Sequence, residues 1–444
     1  MTDADTWDSA VAVLRANDLG GWTKPAPALY PHQWSWDSAF IAIGLVHVDP
    51  ARAMRELETL FAAQWRDGRV PHIVFNPNAD AVDYFPDPGW WASQRFSPPA
   101  PAEIATSGLV QPPVHAIAAW HIAQTAGEQV RERLGALYPK LAAWHRYLAT
   151  RRDPDEQGLV RVYHPWESMD NSPRFDAALG RVEVGELPAY RRRDTTLVVD
   201  ASQRPSDAEY DRFLWLVELL KAVRYDDAEA QRTQPLLVGD VFFSAIFAAA
   251  NHALSQLAAW LGVEADRAEL DNLALRYSVA VQAQWDASDE LALDQDLRSG
   301  SPIHVQTYAG LSPLLVPRLD PTLRDKLVST LFGPRFAGAP GFKFRVIPSA
   351  SPGSPGFDPR SYWRGPVWPV MNWLFWWALR QQGEARRAEE LRQSNLQLLR
   401  APTSRFAEYL EPYTGEPLGS MDQSWTAAVV LDWLSQLGRT TSVA

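Results

Sequence analysis

The 444-residue sequence contains no cysteine, and this absence excludes disulfide bonds and thiolate chemistry. Histidine is also scarce, with nine copies, and no His-Glu-x-x-His pair occurs. His115 and His121 are six residues apart and therefore do not share a helix face. Phosphate-binding loops, dinucleotide fingerprints and Gly-x-Ser-x-Gly elbows are missing too. The sequence predicts an activity that needs no metal and no cofactor.

Long apolar runs and excess positive charge are missing as well. We find no apolar run that reaches the roughly 18 residues of a membrane span. The formal net charge of −11 argues against nucleic acid and anionic membranes as partners. The one basic cluster, residues 191–193, is predicted to be a solvated loop. The first six residues are acidic and polar, unlike a signal peptide, so a cytoplasmic location is expected.

Tryptophan, by contrast, is abundant, with twenty copies. A buried indole needs a partner for its N–H, yet many of these residues lie in polar, loop-like sequence. Sugar rings present apolar C–H faces that pack on indoles, so tryptophans beside carboxylates are typical of carbohydrate binding. Trp260, Trp285 and Trp433 are expected to serve ordinary helix packing instead.

Helical periodicity dominates the chain. The predicted helices cover residues 8–16, 36–46, 51–65, 112–125, 130–150, 207–223, 240–261, 264–285, 305–316, 321–332, 368–380, 384–400 and 424–437. Asp49 and Ser206 are predicted N-caps. An apolar helix followed by an amphipathic one recurs about six times, which predicts an all-α (α/α)6 toroid, or barrel, in one domain over residues 1–444. Two long irregular stretches, residues 67–107 and 333–359, are expected to gather at one rim and build the site.

One segment concentrates chemistry: WESMDNSP at residues 166–173. Its proline disfavours helix at the preceding residue, so Glu167 and Asp170 are expected in a loop or helix end beneath aromatic rings. Burial against apolar rings raises the pKa of a carboxyl group and keeps its proton available near neutrality. The segment suits a glycosidase acid, but alone it is equally compatible with a capped loop that carries a surface acid.

Further segments make the pattern specific. They are YPHQWSWD at residues 30–37, YWRGPVW at 362–368, FAEYLEPYTGE at 406–416 and QSWT at 423–426. Together with WESMDNSP they resemble glycoside hydrolase family 63 over nearly the whole chain, most nearly its bacterial glucosylglycerate and mannosylglycerate hydrolases. One departure is that these relatives place a glycine between the serine and the Met-Asp of the first motif, whereas Ser168 and Met169 are adjacent here.

The resemblance implies an inverting α-glycosidase that hydrolyses glucosylglycerate to glucose and glycerate, with mannosylglycerate as the alternative substrate. It assigns Asp170 as the general acid and Glu408 as the general base, while Glu411 and Glu416, each before a proline, are expected to be turn residues. It places Tyr30, Trp34, Asp37, Gln111 and Trp368 near the sugar, and Tyr84, Arg204, Tyr210, Tyr362 and Gln423 near an acidic aglycone. Glu167 is expected either to contact the sugar or to support the residues that do. Trp363 is also predicted to contact substrate.

Arg204 has support of its own, because a guanidinium group at a polar helix start can bind a carboxylate with two hydrogen bonds. A structural ion pair with Asp207 or Asp211 is the alternative. Two other functions compete: a sugar 2-epimerase, which uses histidines on the same toroid, and a non-catalytic carbohydrate-binding module. Scarce histidine and paired acids argue against both. The expected partner is a small glycoside with a carboxylate aglycone, and a homo-oligomer, dimer or tetramer, stays open.

Overall fold

The computed structural model describes residues 1–80, 84–198 and 200–436. Its α-helices are α1 (Asp3–Asn17), α2 (Ser35–Leu45), α3 (Pro50–Ala62), α4 (Pro88–Trp91), α5 (Ser93–Phe96), α6 (His115–Ala126), α7 (Arg131–Arg151), α8 (Asp176–Gly180), α9 (Asp194–Leu197), α10 (Asp207–Ala222), α11 (Asp227–Thr233), α12 (Val241–Leu261), α13 (Arg267–Ala283), α14 (Pro321–Phe332), α15 (Pro369–Gln381), α16 (Ala385–Leu399) and α17 (Ser424–Ser435). The end of the last predicted helix, residue 437, lies outside the described residues.

Within the described residues, six buried segments form a closed inner ring. Its members are α2, α6, α12, the 3-10 helix Tyr308–Leu315, α15 and α17, each in contact with the next, and α17 returns to α2. Behind these segments pack α3, α7, α13, α14, α16 and α1, in the same order. All residues of α2 are buried, because an inner helix has neighbours on every side. The predicted all-α toroid is confirmed.

The helix boundaries follow local signals. Ser206 and Asp49 are N-caps as predicted: Ser206 Oγ accepts from the N–H of Glu209, and Asp49 Oδ1 accepts from the N–H of Arg52. The helix predicted at residues 8–16 begins earlier, at Asp3, because Thr2 and Asp5 form a capping box. The α-helix predicted at residues 305–316 is instead a 3-10 helix. Pro313 within it has no N–H to donate.

Short strands guide the chain into the inner helices. β1 (Gln33–Trp34) pairs with β2 (Ile73–Val74) and runs directly into α2. β3 (Val160–Val162), β4 (Val238–Asp240), β7 (Gln295–Asp296) and β8 (Ser301–Pro302) form an antiparallel sheet in that order, and β4 runs into α12. The remaining pairs are β5 (Trp285–Asp286) with β6 (Leu291–Ala292), and β9 (Tyr409–Leu410) with β10 (Pro417–Leu418).

Helix α12 is long and apolar enough, by length and composition, to cross a membrane. It carries no charged residue, and its Ser, Asn, His and Gln side chains interrupt the apolar run. The structure places it in the inner ring, where 89% of its most apolar window is buried inside the protein. A buried core helix can be as long and as apolar as a membrane span, so the composition of α12 is only weak evidence that it crosses a membrane.

Candidate active site

A cavity that, together with the solvent space open to it, amounts to about 850 Å³ lies where the inner helices begin. Its wall includes most of the predicted site: Tyr30, Trp34, Asp37, Tyr84, Gln111, Asp170, Arg204, Tyr210, Tyr362, Trp363, Glu408 and Gln423. These residues come from the chain leading into α2 and α17, from the loops before α4, α6 and α15, from the segment between β3 and α8, and from the chain before α10 and its first turn. The cavity therefore unites segments that are far apart in sequence.

Residues 166–173, which carry Asp170 and are called the acid segment below, are held in place by a buried arginine. Arg174 donates to Ser168 Oγ at 2.6 Å, to Asp240 Oδ2 at 2.7 Å and to Asp294 Oδ2 at 2.8 Å. The guanidinium group is almost inaccessible, so these charge-assisted hydrogen bonds are not screened by water. They fix the chain immediately before Asp170, and the missing glycine does not prevent that residue from reaching the cavity wall.

A second set of contacts holds the other side of the segment. Asn171 Oδ1 accepts from the N–H of Trp363 at 3.0 Å, and its amide donates to Ser361 Oγ at 3.2 Å. Arg364 donates to the Asn171 carbonyl at 3.0 Å and also pairs with Asp176. The acid segment and the Tyr362–Trp363 motif are thus joined directly.

The carboxyl group of Asp170 is surrounded by the cavity wall, although its surface is partly accessible to the cavity. Burial raises its pKa to about 7, the Arg204 charge acts in the opposite direction, and the nearby Glu408 and Asp194 raise it further. A carboxyl group with this pKa carries its proton over much of the neutral range. Asp170 can therefore donate a proton.

Glu408 has a different environment within the same cavity. Its Oε1 accepts from Tyr30 Oη at 2.7 Å and from Tyr362 Oη at 3.4 Å. Its Oε2 accepts from the N–H and Oγ of Ser420, at 3.0 and 3.1 Å. Hydrogen bonds donated to a carboxylate favour its charged form. Glu408 is thus arranged to act as an anion that accepts a proton.

Two backbone features give Glu408 this position. Gly419 has φ +68°, and a Cβ there would lie 2.6 Å from Glu408 Oε2, so only glycine leaves the carboxylate its place. Tyr362 has φ +23°, which is unusual for a residue with a side chain. Its N–H donates to the Gln203 carbonyl at 3.0 Å. Such strain is found where a side chain must be aimed, and here the side chain reaches Glu408.

Arg204 lies between the two tyrosines and an acid. Its guanidinium carbon lies 3.9 Å from the ring centroid of Tyr362, Nη1 donates to Tyr30 Oη at 3.3 Å, and Nε lies 3.4 Å from Asp194 Oδ2. The alternative partners considered from the sequence, Asp207 and Asp211, pair with Arg192 and Tyr190 instead. Within the part of the chain that the structure describes, Asp194 is the one carboxylate in contact with Arg204, and the contact is long, so Arg204 donors are available to a ligand in the cavity.

The basic cluster at residues 191–193 is only partly solvated, so that prediction is wrong for two of its three members. Arg191 is exposed, but Arg192 is buried and binds Asp194 at 2.8 and 3.1 Å. Arg192 also stacks over the ring of Tyr210 at 4.3 Å, and Arg193 lines the cavity. The sequence could not show this, because the acids and rings that accommodate the cluster lie outside it.

Glu167 does not reach the cavity wall, so of its two predicted roles the contact with the sugar is wrong and the supporting role agrees with the structure. It is fully buried, and its two oxygens bind Arg152 at 2.6 and 3.0 Å. The N–H groups of Tyr163 and Val110 donate to the same carboxylate at 2.8 and 3.3 Å. The carboxylate has no position left for a sugar hydroxyl, so Glu167 supports the acid segment from behind.

Trp368 also lies behind the wall and not on it. Its ring stacks on Trp363 with 3.6 Å between centroids and 3° between planes, and its Nε1 donates to the Tyr362 carbonyl at 3.1 Å. Trp363 itself lines the cavity. The prediction that Trp368 contacts the substrate is therefore wrong: Trp368 instead supports Tyr362 and Trp363, which line the cavity.

Several wall residues were not predicted, namely Trp36, His72, Phe85, Trp166, Ser168, Asp194 and Trp425. Trp36 and Trp425 are one or two positions from predicted residues in the same motifs, so the motifs indicated the segment but not which side chains face inward. Asp194 had no signal, because its place depends on pairing with Arg192. Glu411 and Glu416 lie in turns as expected, where Glu411 accepts from Thr414 and Glu416 pairs with Arg360.

The fold and the paired carboxyl groups define a glycoside hydrolase of the toroid type. A family model described as the mannosylglycerate hydrolase MGH1-like glycoside hydrolase domain matches residues 30–426. The chain belongs to this family, within glycoside hydrolase family 63. Membership removes the sugar 2-epimerase and the non-catalytic binding module as alternatives.

Individual relatives agree with this class. The chain is 49% identical to a glucosylglycerate hydrolase of Mycolicibacterium hassiacum over 435 residues, 96% of each chain. It is 42% identical to a mannosylglycerate hydrolase of Thermus thermophilus, over 96% of this chain and 99% of the relative. A crystal structure of the family 63 mannosylglycerate hydrolase from Thermus thermophilus, in complex with Tris and D-glycerate, superposes with a TM-score of 0.88 at 41% identity, covering 96% and 99% of the two chains.

Proposed function

We propose that the protein is an inverting α-glycosidase that hydrolyses glucosylglycerate to glucose and glycerate. The observation that carries the assignment of roles is the contrast between two carboxyl groups in one cavity. Asp170 has a pKa raised to about 7 and, among the described residues, no side-chain hydrogen-bond donor, whereas Glu408 accepts from two tyrosines and from Ser420. The 49% identity to a glucosylglycerate hydrolase supports the substrate.

In the proposed reaction Asp170 protonates the glycosidic oxygen as the bond to the anomeric carbon breaks. Glu408 takes a proton from a water that attacks the anomeric carbon from the opposite face of the sugar. The reaction inverts the anomeric configuration, because a single displacement occurs with no covalent intermediate. The proton lost by Asp170 is recovered when the site equilibrates with solvent.

The glycerate carboxylate would bind at Arg204, whose donors are only weakly engaged by Asp194 at 3.4 Å. Tyr84 and Tyr210 line the cavity beside this arginine. The sugar would lie against the aromatic wall, where the ring of Trp34 makes edge contacts with Tyr30 and Tyr84, at 5.1 and 5.2 Å between centroids. Asp37 lies nearby in the first turn of α2, and burial and the Glu408 charge raise its pKa well above its ordinary value. A neutral Asp37 could donate to a sugar hydroxyl.

Turnover of a substrate panel tests the proposal. Purified protein should release glucose from glucosylglycerate, and Asp170→Asn and Glu408→Gln should each reduce kcat by about 10²–10⁴ with the melting temperature retained. Glu411→Gln is the matched control, because Glu411 lies in the same segment but binds Thr414 and not the cavity. Activity within a few-fold of the parent in either catalytic variant would reject the assignment.

Mannosylglycerate is a second candidate substrate, supported by the 42% identity to a mannosylglycerate hydrolase. The two substrates differ in the configuration of one sugar hydroxyl. Comparing kcat/KM on glucosylglycerate, mannosylglycerate, trehalose and kojibiose decides between them and tests the acidic aglycone at the same time. A higher kcat/KM on mannosylglycerate than on glucosylglycerate would reverse the preference proposed here.

The proposal also covers the location of the enzyme, its domain organisation and its partners. We place the reaction in the cytoplasm, in one catalytic domain over residues 1–444, with no cofactor, nucleic acid or membrane partner. A homo-oligomer, dimer or tetramer, is compatible with this function. Light scattering of the purified protein and fractionation of the source cells measure these properties.

A further inference from the structure

A second cluster of reactive side chains lies outside the active site. His47 follows the end of α2, His121 lies in the last turns of α6, and Asp432 lies in the last turn of α17. The nitrogen and oxygen atoms that these residues present all lie within 4.8 Å of one another. Three separate inner-ring helices therefore bring two imidazoles and one carboxylate to a common point.

This point is remote from the cavity. The cavity wall contains Asp37 in the first turn of α2, whereas His47 comes ten residues later. An α-helix rises about 1.5 Å per residue, so the cluster lies about 15 Å further along the ring axis. The proposed reaction uses none of its members.

The imidazole geometry is that of converging ligands. His47 Nε2 lies 2.8 Å and His121 Nε2 3.0 Å from the same oxygen, Asp432 Oδ1. The second contact is short, yet among the described residues the buried His121 Nε2 has no hydrogen-bond partner. One carboxylate oxygen is thus shared by two nitrogens, of which only one is satisfied as a hydrogen-bond donor.

Two neighbouring features suit a metal site: a hydrogen bond that orients the carboxylate ligand and access for water. Asp432 Oδ2 accepts from Trp373 Nε1 at 2.8 Å, and this bond orients the carboxylate as outer partners orient metal ligands. His47 also borders an open surface groove that includes Trp7, Asp8 and Arg15. Water could reach a further coordination position from that side.

We propose that His47, His121 and Asp432 bind a divalent transition-metal ion, with zinc as the best match. Two histidine nitrogens and one carboxylate oxygen, with a position left for water, are a donor set that zinc takes at about 2.0–2.2 Å from each atom. Atoms that zinc binds tetrahedrally at these lengths lie about 3.3–3.6 Å apart, so ligand atoms separated by up to 4.8 Å must approach one another by about 1 Å to close the site. The ion would tie α2, α6 and α17 together at the rim opposite the cavity. This inference does not depend on the proposed function.

Zinc titration of chelator-treated protein, in competition with a chromophoric chelator, tests the site. We expect one equivalent per chain, with binding weakened at least about 100-fold in His121→Gln, because even the loss of an outer partner costs 10–100-fold. Zinc should raise the melting temperature of the parent and not that of the variant. His304→Gln is the matched control: it removes a histidine that contacts a single aspartate, Asp289, at 2.7 Å, and it should bind zinc as the parent does.

Cobalt absorption gives a second measurement on the unaltered protein, in case the His121 variant does not fold. Intense visible bands are expected for cobalt bound at low coordination number by histidine and carboxylate, and His47→Gln should remove them. If the parent binds no stoichiometric zinc, or if the His121 and His304 variants bind it equally, the metal site is refuted. The cluster is then a hydrogen-bonded clamp between helices.

Discussion

The buried ion pair between Glu167 and Arg152 gives the sharpest test of how the acid segment is supported. Glu167→Gln keeps the shape of the side chain and removes its charge. Arg152 would then remain in the interior, where its side chain is about 1% exposed, with Asp227 at 3.1 Å as its remaining carboxylate partner. Removing one member of a buried pair costs about 3–5 kcal/mol, and here Asp227, which also pairs with Arg69, would be left to balance both guanidinium charges.

This free energy converts into a measurable change in melting temperature. The entropy of unfolding is about 2.1 cal/mol/K per residue, which for 444 residues gives about 0.9 kcal/mol/K. The expected decrease is therefore about 3–5 °C. The surface pair Glu416–Arg360 is a control with similar chemistry, because it also has two contacts, at 2.6 and 3.0 Å, but both side chains are well exposed. Glu416→Gln should change stability by only about 0–1 kcal/mol.

Thermal unfolding at a fixed scan rate and kinetics on glucosylglycerate should be measured for both variants. If Glu167 only supports the acid segment, its variant melts earlier and keeps a KM within a few-fold of the parent. A raised KM with an unchanged melting temperature would mean that Glu167 contacts the sugar, as the sequence motif suggested. That result would refute the burial argument.

Three further predictions concern the cavity. The value of kcat/KM should fall as the pH rises through about 7, since Asp170 must be protonated to act as the acid. Asp194→Asn should move this fall to lower pH, because it removes a charge that raises the Asp170 pKa. A pH profile that is the same in the variant and the parent would contradict the assignment. Arg204→Ala should lower kcat/KM on glucosylglycerate by about 10–150-fold, because a lost hydrogen bond to a charged group costs about 1.5–3 kcal/mol. The variant should keep its kcat/KM on an uncharged glucoside, and equal losses on both substrates would indicate a structural arginine. Proton NMR should detect β-glucose first from the α-linked substrate, with the Asp170 and Glu408 carboxyl groups about 6.5–9.5 Å apart; α-glucose first would make Glu408 a nucleophile.

The toroid could be predicted because its physical cause is local. An inner helix touches neighbours on all sides and loses its polar face, so α2 and α12 are nearly uniform in hydrophobicity, whereas the charged α16 packs outside. The 3-10 helix Tyr308–Leu315 escaped prediction because hydrophobic periodicity does not distinguish the two helix types over eight residues.

The sequence motifs predicted which segments form the site, but they predicted less well which side chains face the cavity. Motifs indicated the parts of the chain that carry Asp170 and Glu408, but the direction of each neighbouring side chain depends on partners distant in sequence. Glu167 turns away because Arg152 lies behind it, and Asp194 turns inward because Arg192 and Arg204 hold it. Such pairings have no local signature, since any of the many acids could have met either arginine.

The contrast between acid and base arises from hydrogen bonding more than from residue type. Asp170 and Glu408 share one cavity, and the Glu408 charge raises the pKa of Asp170. The donors around the two carboxyl groups differ, because Tyr30 Oη and Tyr362 Oη both donate to Glu408. The N–H and Oγ of Ser420 add two donors close to the start of α17, where the helix dipole also favours negative charge. Asp170 receives none of these bonds and keeps its proton, and the two carboxyl groups are thereby set for opposite roles before any substrate enters.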